Sequence, residues 1–300
     1  MKFRLALFIL FVTLCHAHAS AARDEQRRVS VAVLDMGGTP TAARAAERVS
    51  KVMASLKIKG TKLSVLDRGM SAAAARGVGY AGSLNLTLAE ARALGAAVGC
   101  DFYLTGDAQT IRRSSSARPA YFEAYASVFV VSSRTGRLVM WERPAAEADT
   151  AEGAEASLLA ALEGGAQLYA AAAAVEAERE ERERFAPDEG GTEAIIDLST
   201  DEGASAHGDL REPAPYRRLR PAYTDAAARA EAEATVDALV EIGSDGEVSG
   251  VRVVRWAGFG LDEEVAATVR RMHFRPAQRE GEAVPVRVLL RYNFRKPPKS

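Results

Sequence analysis

The chain has 300 residues, room for about two domains, and its 39 Lys+Arg against 40 Asp+Glu leave a net charge of −1. That balance lacks the global basic excess of a nucleic-acid binder. The two cysteines, Cys15 and Cys100, stand in neither a Cys-x-x-Cys nor a Cys/His cluster, which argues against a disulfide framework and a structural zinc site.

Residues 1–21 read as a signal peptide. Lys2 and Arg4 precede the apolar run Leu5 to Leu14, too short to span a bilayer, and Ala19-Ser20-Ala21 offers small residues for cleavage before Ala22. A retained membrane anchor and a lipidated Cys15 are the alternatives; Leu14 is bulky where lipoprotein signals have a small residue. Cleavage would remove Cys15, His16 and His18 and leave Cys100 as the only thiol, in an oxidising compartment.

Residues 22–144 read as an α/β domain. RVSVAVLDMGG (28–38) is an apolar run ending in glycine, the pattern of a buried strand, and the helix 41–56 carries Ala45, Val49, Val52, Met53 and Leu56 on one face. A second strand is expected over 62–69. Thr87 and Glu90 form a capping box that opens a helix. DFYLTGDAQTI (101–111) is a third strand, and YFEAYASVFVV pairs with RLVMWER through SSRTG. The order of VAVLDMGG, SVLDRG (64–69) and GAAVGCDFYLTGDAQ (95–109) resembles the amino-terminal domains of the TolB and curli-secretion-component superfamily. The resemblance covers about a third of the chain and implies an adaptor or assembly role; it brings no catalytic residue.

Residues 145–218 read as a connector. An Ala-rich helix turns charged, with Glu178–Arg182 and Glu180–Arg184 at the spacing of solvated i,i+4 pairs. An acidic, Gly- and Ser-containing linker follows, read as a passive spacer, with a docking motif around Ile195-Ile196 as the alternative.

Residues 219–300 read as a small antiparallel sheet crossed by one helix. Val236, Ala238, Val240 and Ile242 share a strand face, Ser244-Asp245-Gly246 is a hairpin turn, and Val248 to Val254 returns. LDEEVAATVRRM carries the stripe Leu261, Val265, Val269 and Met272, with Asp262, Glu263 and Glu264 near its positive end. The last strand alternates, with Val284, Val286, Val288, Leu290, Tyr292 and Phe294 inward and Arg287, Arg291 and Asn293 outward.

This last region resembles the C-terminal domain of TonB-family energy transducers. PAYTDAAARAE (221–231), TVDALVEIGSDGEVSGVRVVR, GLDEEVAATVRRMHFRPA (260–277) and GEAVPVRVLLRYNF (281–294) follow the family's order and spacing. Thr224 replaces the second proline of the family's Tyr-Pro pair, Ala234 a glycine, and His273 a tryptophan. The resemblance implies a TonB-like fold and partners among outer-membrane receptors or other envelope proteins. A receptor's extended peptide would pair with the last strand, whose edge presents unpaired N–H and C=O groups. The residues so implied are Val284, Val286, Arg287, Val288, Leu289, Leu290, Arg291, Tyr292 and Phe294, with the two arginines favouring acidic peptides. The alternative is that the strand pairs with nothing or with a second copy of itself, a homodimer.

No nucleophile–base pair can be assembled, and no enzyme, metal or cofactor is expected. Gly77-x-Gly79-x-x-Gly82 has the form of a dinucleotide fingerprint, but AAAAR separates it from the strand before it. Asp67-Arg68 and Asp107 stand at strand ends and read as structural ion-pairing groups; His273 reads as a packing or capping residue. The expectation is a periplasmic adaptor protein for transport across the envelope, with a domain at each end of a spacer and no motor coupling. The alternatives are an envelope-assembly or cell-wall regulator acting through the N-terminal domain, and an anchored energy transducer if the N-terminal segment is retained.

Overall fold

The computed structural model describes residues 27–185, 195–200, 203 and 210–296. The expected signal segment and His207 lie outside them.

The first sheet has the order β2 (Thr61–Val65), β1 (Arg27–Val33), β3 (Phe102–Arg113), β4 (Tyr121–Ser132), β5 (Leu138–Glu142), with β6 (Ala145–Ala148) pairing farther along β4. β1 runs parallel to β2 and β3, and the later pairs are antiparallel. Helix α1 (Pro40–Ser55) starts at Thr39, whose hydroxyl accepts the Ala42 N–H, with Pro40 in the first turn. Helix α2 (Arg68–Gly77), an element not expected between the second strand and Thr87, is capped by the Asp67 carboxylate on the Met70 N–H. Helix α3 (Leu88–Val98) has the expected Thr87–Glu90 capping box and ends on Gly99 at φ 75°. Gly77 ends α2, and Gly79 and Gly82 lie between α2 and α3, so no strand leads directly into these glycines as a nucleotide loop requires.

Helix α4 (Ala151–Phe185) is formed as expected but is packed and not solvated. With α1 it covers one face of the sheet, packing Leu158, Leu162, Ala166 and Tyr169 onto Val31, Val33, Phe102, Leu104 and Val128. Its Glu180 is buried and accepts from Ser132 Oγ at 2.5 Å and Arg134 Nε at 2.8 Å, in place of the solvated pair with Arg184.

The second sheet has the order β10 (Val248–Arg255), β9 (Ala234–Ile242), β14 (Val286–Phe294), β7 (Ile196–Asp197). Asp245 and Gly246 turn the β9–β10 hairpin, with Gly246 at φ 84°, where an added Cβ would lie 2.0 Å from the Phe274 carbonyl oxygen. Helix α6 (Leu261–Arg270) lays Leu261, Val265 and Val269 on this sheet, followed by Met272. A short helix α5 (Asp225–Ala230) starts on Thr224. The strand predicted over 284–294 is broken at Pro285, which has no N–H for the ladder. Val284 belongs to β13 (Glu282–Val284), which pairs with β12 (Ala277–Arg279).

The two sheets share one core, against the expectation of two tethered domains. The free face of the first sheet, carrying Leu34, Tyr103, Phe129 and Val131, is covered by α2, α3 and the second sheet's region. The segment Trp256–Asp262 is the plug. Gly258, Phe259 and Gly260 all have positive φ, at 72°, 54° and 75°. This turns Trp256 to stack on Phe129 (centroids 5.9 Å apart) and sets Phe259 edge-on to the same ring at 5.5 Å. A Cβ at Gly258 would meet the Phe129 ring at 2.5 Å, so only glycine fits. Trp256 Nε1 donates to the Gly136 carbonyl at 3.0 Å. Asn85 Nδ2 donates to the Thr235 and Trp256 carbonyls, both at 2.7 Å, and its Oδ1 accepts the Thr235 N–H. The Trp256 bond is buried and the Asn85 bonds partly so, and their loss leaves unpaired polar groups in the seam.

Candidate partner-binding edge

β14 pairs along its whole length with β9 on one side, from Val286↔Ile242 to Phe294↔Ala234. Its other side is occupied only at the start. There β7 lies parallel, with Val286↔Ile196 and Arg287↔Asp197. The Ile196 N–H donates to the Pro285 carbonyl (3.1 Å) and the Leu198 N–H to the Arg287 carbonyl (2.8 Å). Since Pro285 and Arg287 point their carbonyls away from β9, alternation along the strand points the N–H and C=O of Leu289, Arg291 and Asn293 the same way. Among the described residues no backbone group pairs with them. The edge expected from the sequence is therefore present over Val288–Phe294 and taken by the chain itself over Val286–Arg287.

A groove of about 390 Å³ runs beside the unpaired half. Val288, Leu290 and Tyr292 line one wall. Glu212, Pro213, Pro215, Arg218 and Leu219 form the other, and Leu198, Met272 and Phe274 line it as well. The far wall is held in place by β8 (Ala214–Pro215) pairing with β11 (Phe274–Arg275), by Arg211 bonding Gln278 in both directions, and by the Tyr216 N–H on the His273 carbonyl. Tyr292 donates its hydroxyl to Met272 Sδ at 3.6 Å, and burial pushes the phenol up.

The side chains divide as predicted. Val286 and Phe294 are buried, Val288, Leu290 and Tyr292 partly so, and Leu289 lies on the solvent face beside Leu239. Phe294 stacks on Tyr223 with centroids 6.4 Å apart. The two arginines, expected to favour acidic peptides, each already hold an acid of the chain itself. Arg287 Nη2 binds Glu241 at 2.7 Å and its Nη1 binds Asp197 at 3.3 Å. Arg291 forks onto the buried Asp237 at 2.7 and 3.0 Å, with Arg255 adding a third contact at 3.3 Å. Burial pushes the Asp237 carboxyl up, but Arg291 and Arg255 outweigh it and leave it below the usual range. Each arginine sits opposite its acid across β9 and β14, a pairing that register dictates and a linear sequence does not display.

The remaining candidates are structural. Arg68 pairs with Asp35 at 3.0 Å while Asp67 caps α2. Asp107 is pushed up by burial beside Gln109. His273 Nδ1 meets Glu247 at 2.8 Å on the surface. The buried Cys100 thiol is likewise pushed up. Among the described residues no three His, Cys, Asp or Glu gather as a metal would need.

Residues 220–295 match the family model described as Gram-negative bacterial TonB protein C-terminal, so the chain carries a TonB-family C-terminal domain segment. No curated protein matches the chain. Among solved structures, the Pseudomonas aeruginosa TonB C-terminal domain is 23% identical, over 36% of this chain and 99% of that one, with a TM-score of 0.26. The hypothetical protein CT253 of Chlamydia trachomatis is 14% identical over 46% and 98%, with a TM-score of 0.32. The LpoB C-terminal domain of Salmonella enterica is 14% identical over 43% and 90%, with a TM-score of 0.27.

Proposed function

We propose, with the TonB-type C-terminal segment as premise, that the chain is an envelope protein that binds other envelope proteins, outer-membrane receptors among them, by accepting an extended peptide as a new strand on β14. The observation that carries this reading is the row of outward backbone groups at Leu289, Arg291 and Asn293 facing a walled groove. Backbone hydrogen bonds would supply affinity, and alternate side chains entering the groove would supply selectivity. The role is binding and not catalysis, exerted in the periplasm once the signal segment is cleaved. Of the expected division at 22–144, 145–218 and 219–300, the proposal keeps a TonB-type unit from 219 onward and extends the first body through α4.

Leu289→Pro tests the mode of binding. Its N–H points away from β9, so proline there leaves the internal ladder intact and removes one donor for an added strand. Binding of synthetic peptides that alternate apolar and acidic residues should weaken roughly tenfold, a loss of ~1.4 kcal/mol. Leu289→Ala should bind as the parent does. Equal binding by the proline variant would refute strand addition at this edge.

A further inference from the structure

We infer that the segment Ile195–Leu198 is a tethered pseudo-ligand that gates the β14 edge, an inference that rests on the peptide-binding reading above. In an otherwise acidic and polar stretch, Ile196 and Leu198 pack against the second sheet's core while Asp197 between them faces solvent. The segment makes the contacts expected of a bound strand. Two backbone N–H groups bond the carbonyls of Pro285, just before β14, and Arg287 within it, and the Asp197 carboxylate reaches Arg287 at 3.3 Å. Asp197 Oδ1 also accepts from the Ser199 N–H (2.9 Å) and hydroxyl (2.6 Å), which fixes the turn that carries the chain off the edge at Leu198. Its exit there is why the edge is unpaired from Leu289 onward.

Two consequences follow for a partner. The occupant sets the chemistry of the site, an apolar–acidic–apolar run parallel to β14 with its acid opposite Arg287. An arriving peptide that uses all of β14 must also displace a competitor whose covalent attachment gives it a high effective concentration. The segment thus lowers apparent affinity by the fraction of time it is bound.

The test uses the full chain and the labelled peptide IIDLST, followed by the amide shifts of Val286–Tyr292. Ile196→Pro/Leu198→Pro removes both N–H donors, and Asp197→Arg independently reverses the charge facing Arg287. Each variant should bind the peptide more tightly than the parent, the double proline variant by about tenfold. Equal affinity in all three proteins would overturn the gate and leave strand addition standing. Absence of binding to any of them, with Arg287 amide exchange accelerated in the proline variant to show that the segment has left, would overturn both.

Discussion

Asp262 concentrates the electrostatics of the plug. Its carboxylate accepts the Ala257 and Gly258 N–H groups, both at 2.8 Å, and so holds the strained turn that presents Trp256 and Phe259. Burial dominates these bonds and pushes its acid up to about 7. The unfolded chain ionises near the ordinary aspartate value, so between the two the folded state binds more protons, and stability falls as pH rises through that window. Thermal or denaturant unfolding should show a decline on the order of a few kcal/mol from acidic to neutral pH. Asp262→Asn should flatten it, and an unchanged slope in that variant would assign the dependence elsewhere. This residue was legible only as one of three acids at a helix start. The turn it holds was not legible either, because no local pattern around Trp256–Gly260 announces three consecutive positive φ angles.

The elements read from the sequence most faithfully are those whose pattern is local. Period two gave the faces of β9 and β14, the 3.6-residue stripe gave α1 and α6, and a capping box gave the start of α3. α4 was legible as a helix but not as a packed one. Its alanines stand on both the buried and exposed sides, so its apolar stripe has little contrast, and its buried Glu180 read as solvated. Leu162→Ala on this helix should cost about 2–5 kcal/mol, as expected for a fully buried leucine, by denaturant unfolding. A cost within about 0.5 kcal/mol would return the helix to the role of solvated connector. β7 escaped prediction as a strand for a different reason. Two residues cannot set a period, and their strand conformation comes from β14.

At the scale of the molecule, the shared aromatic cluster makes the two sheets one folding unit, and calorimetry should record a single cooperative transition. Trp256→Ala removes the ring stacked on Phe129 and the donor to Gly136, and should lower stability by about 3–5 kcal/mol or split the transition in two. A single transition at the parent's temperature would mean that the contact contributes nothing. The docking leaves the β14 edge on the side away from the plug, available to another chain.

Hydrogen exchange along β14 tests that availability most directly. Val288, Leu290 and Tyr292 donate inward to β9 and should be slow to exchange throughout. Leu289, Arg291 and Asn293 should exchange rapidly alone and slow on saturation with a millimolar extended peptide that alternates apolar and acidic residues, the inward set unchanged. Outward amides that are already protected in the free chain, or that stay fast when peptide is bound, would contradict the account.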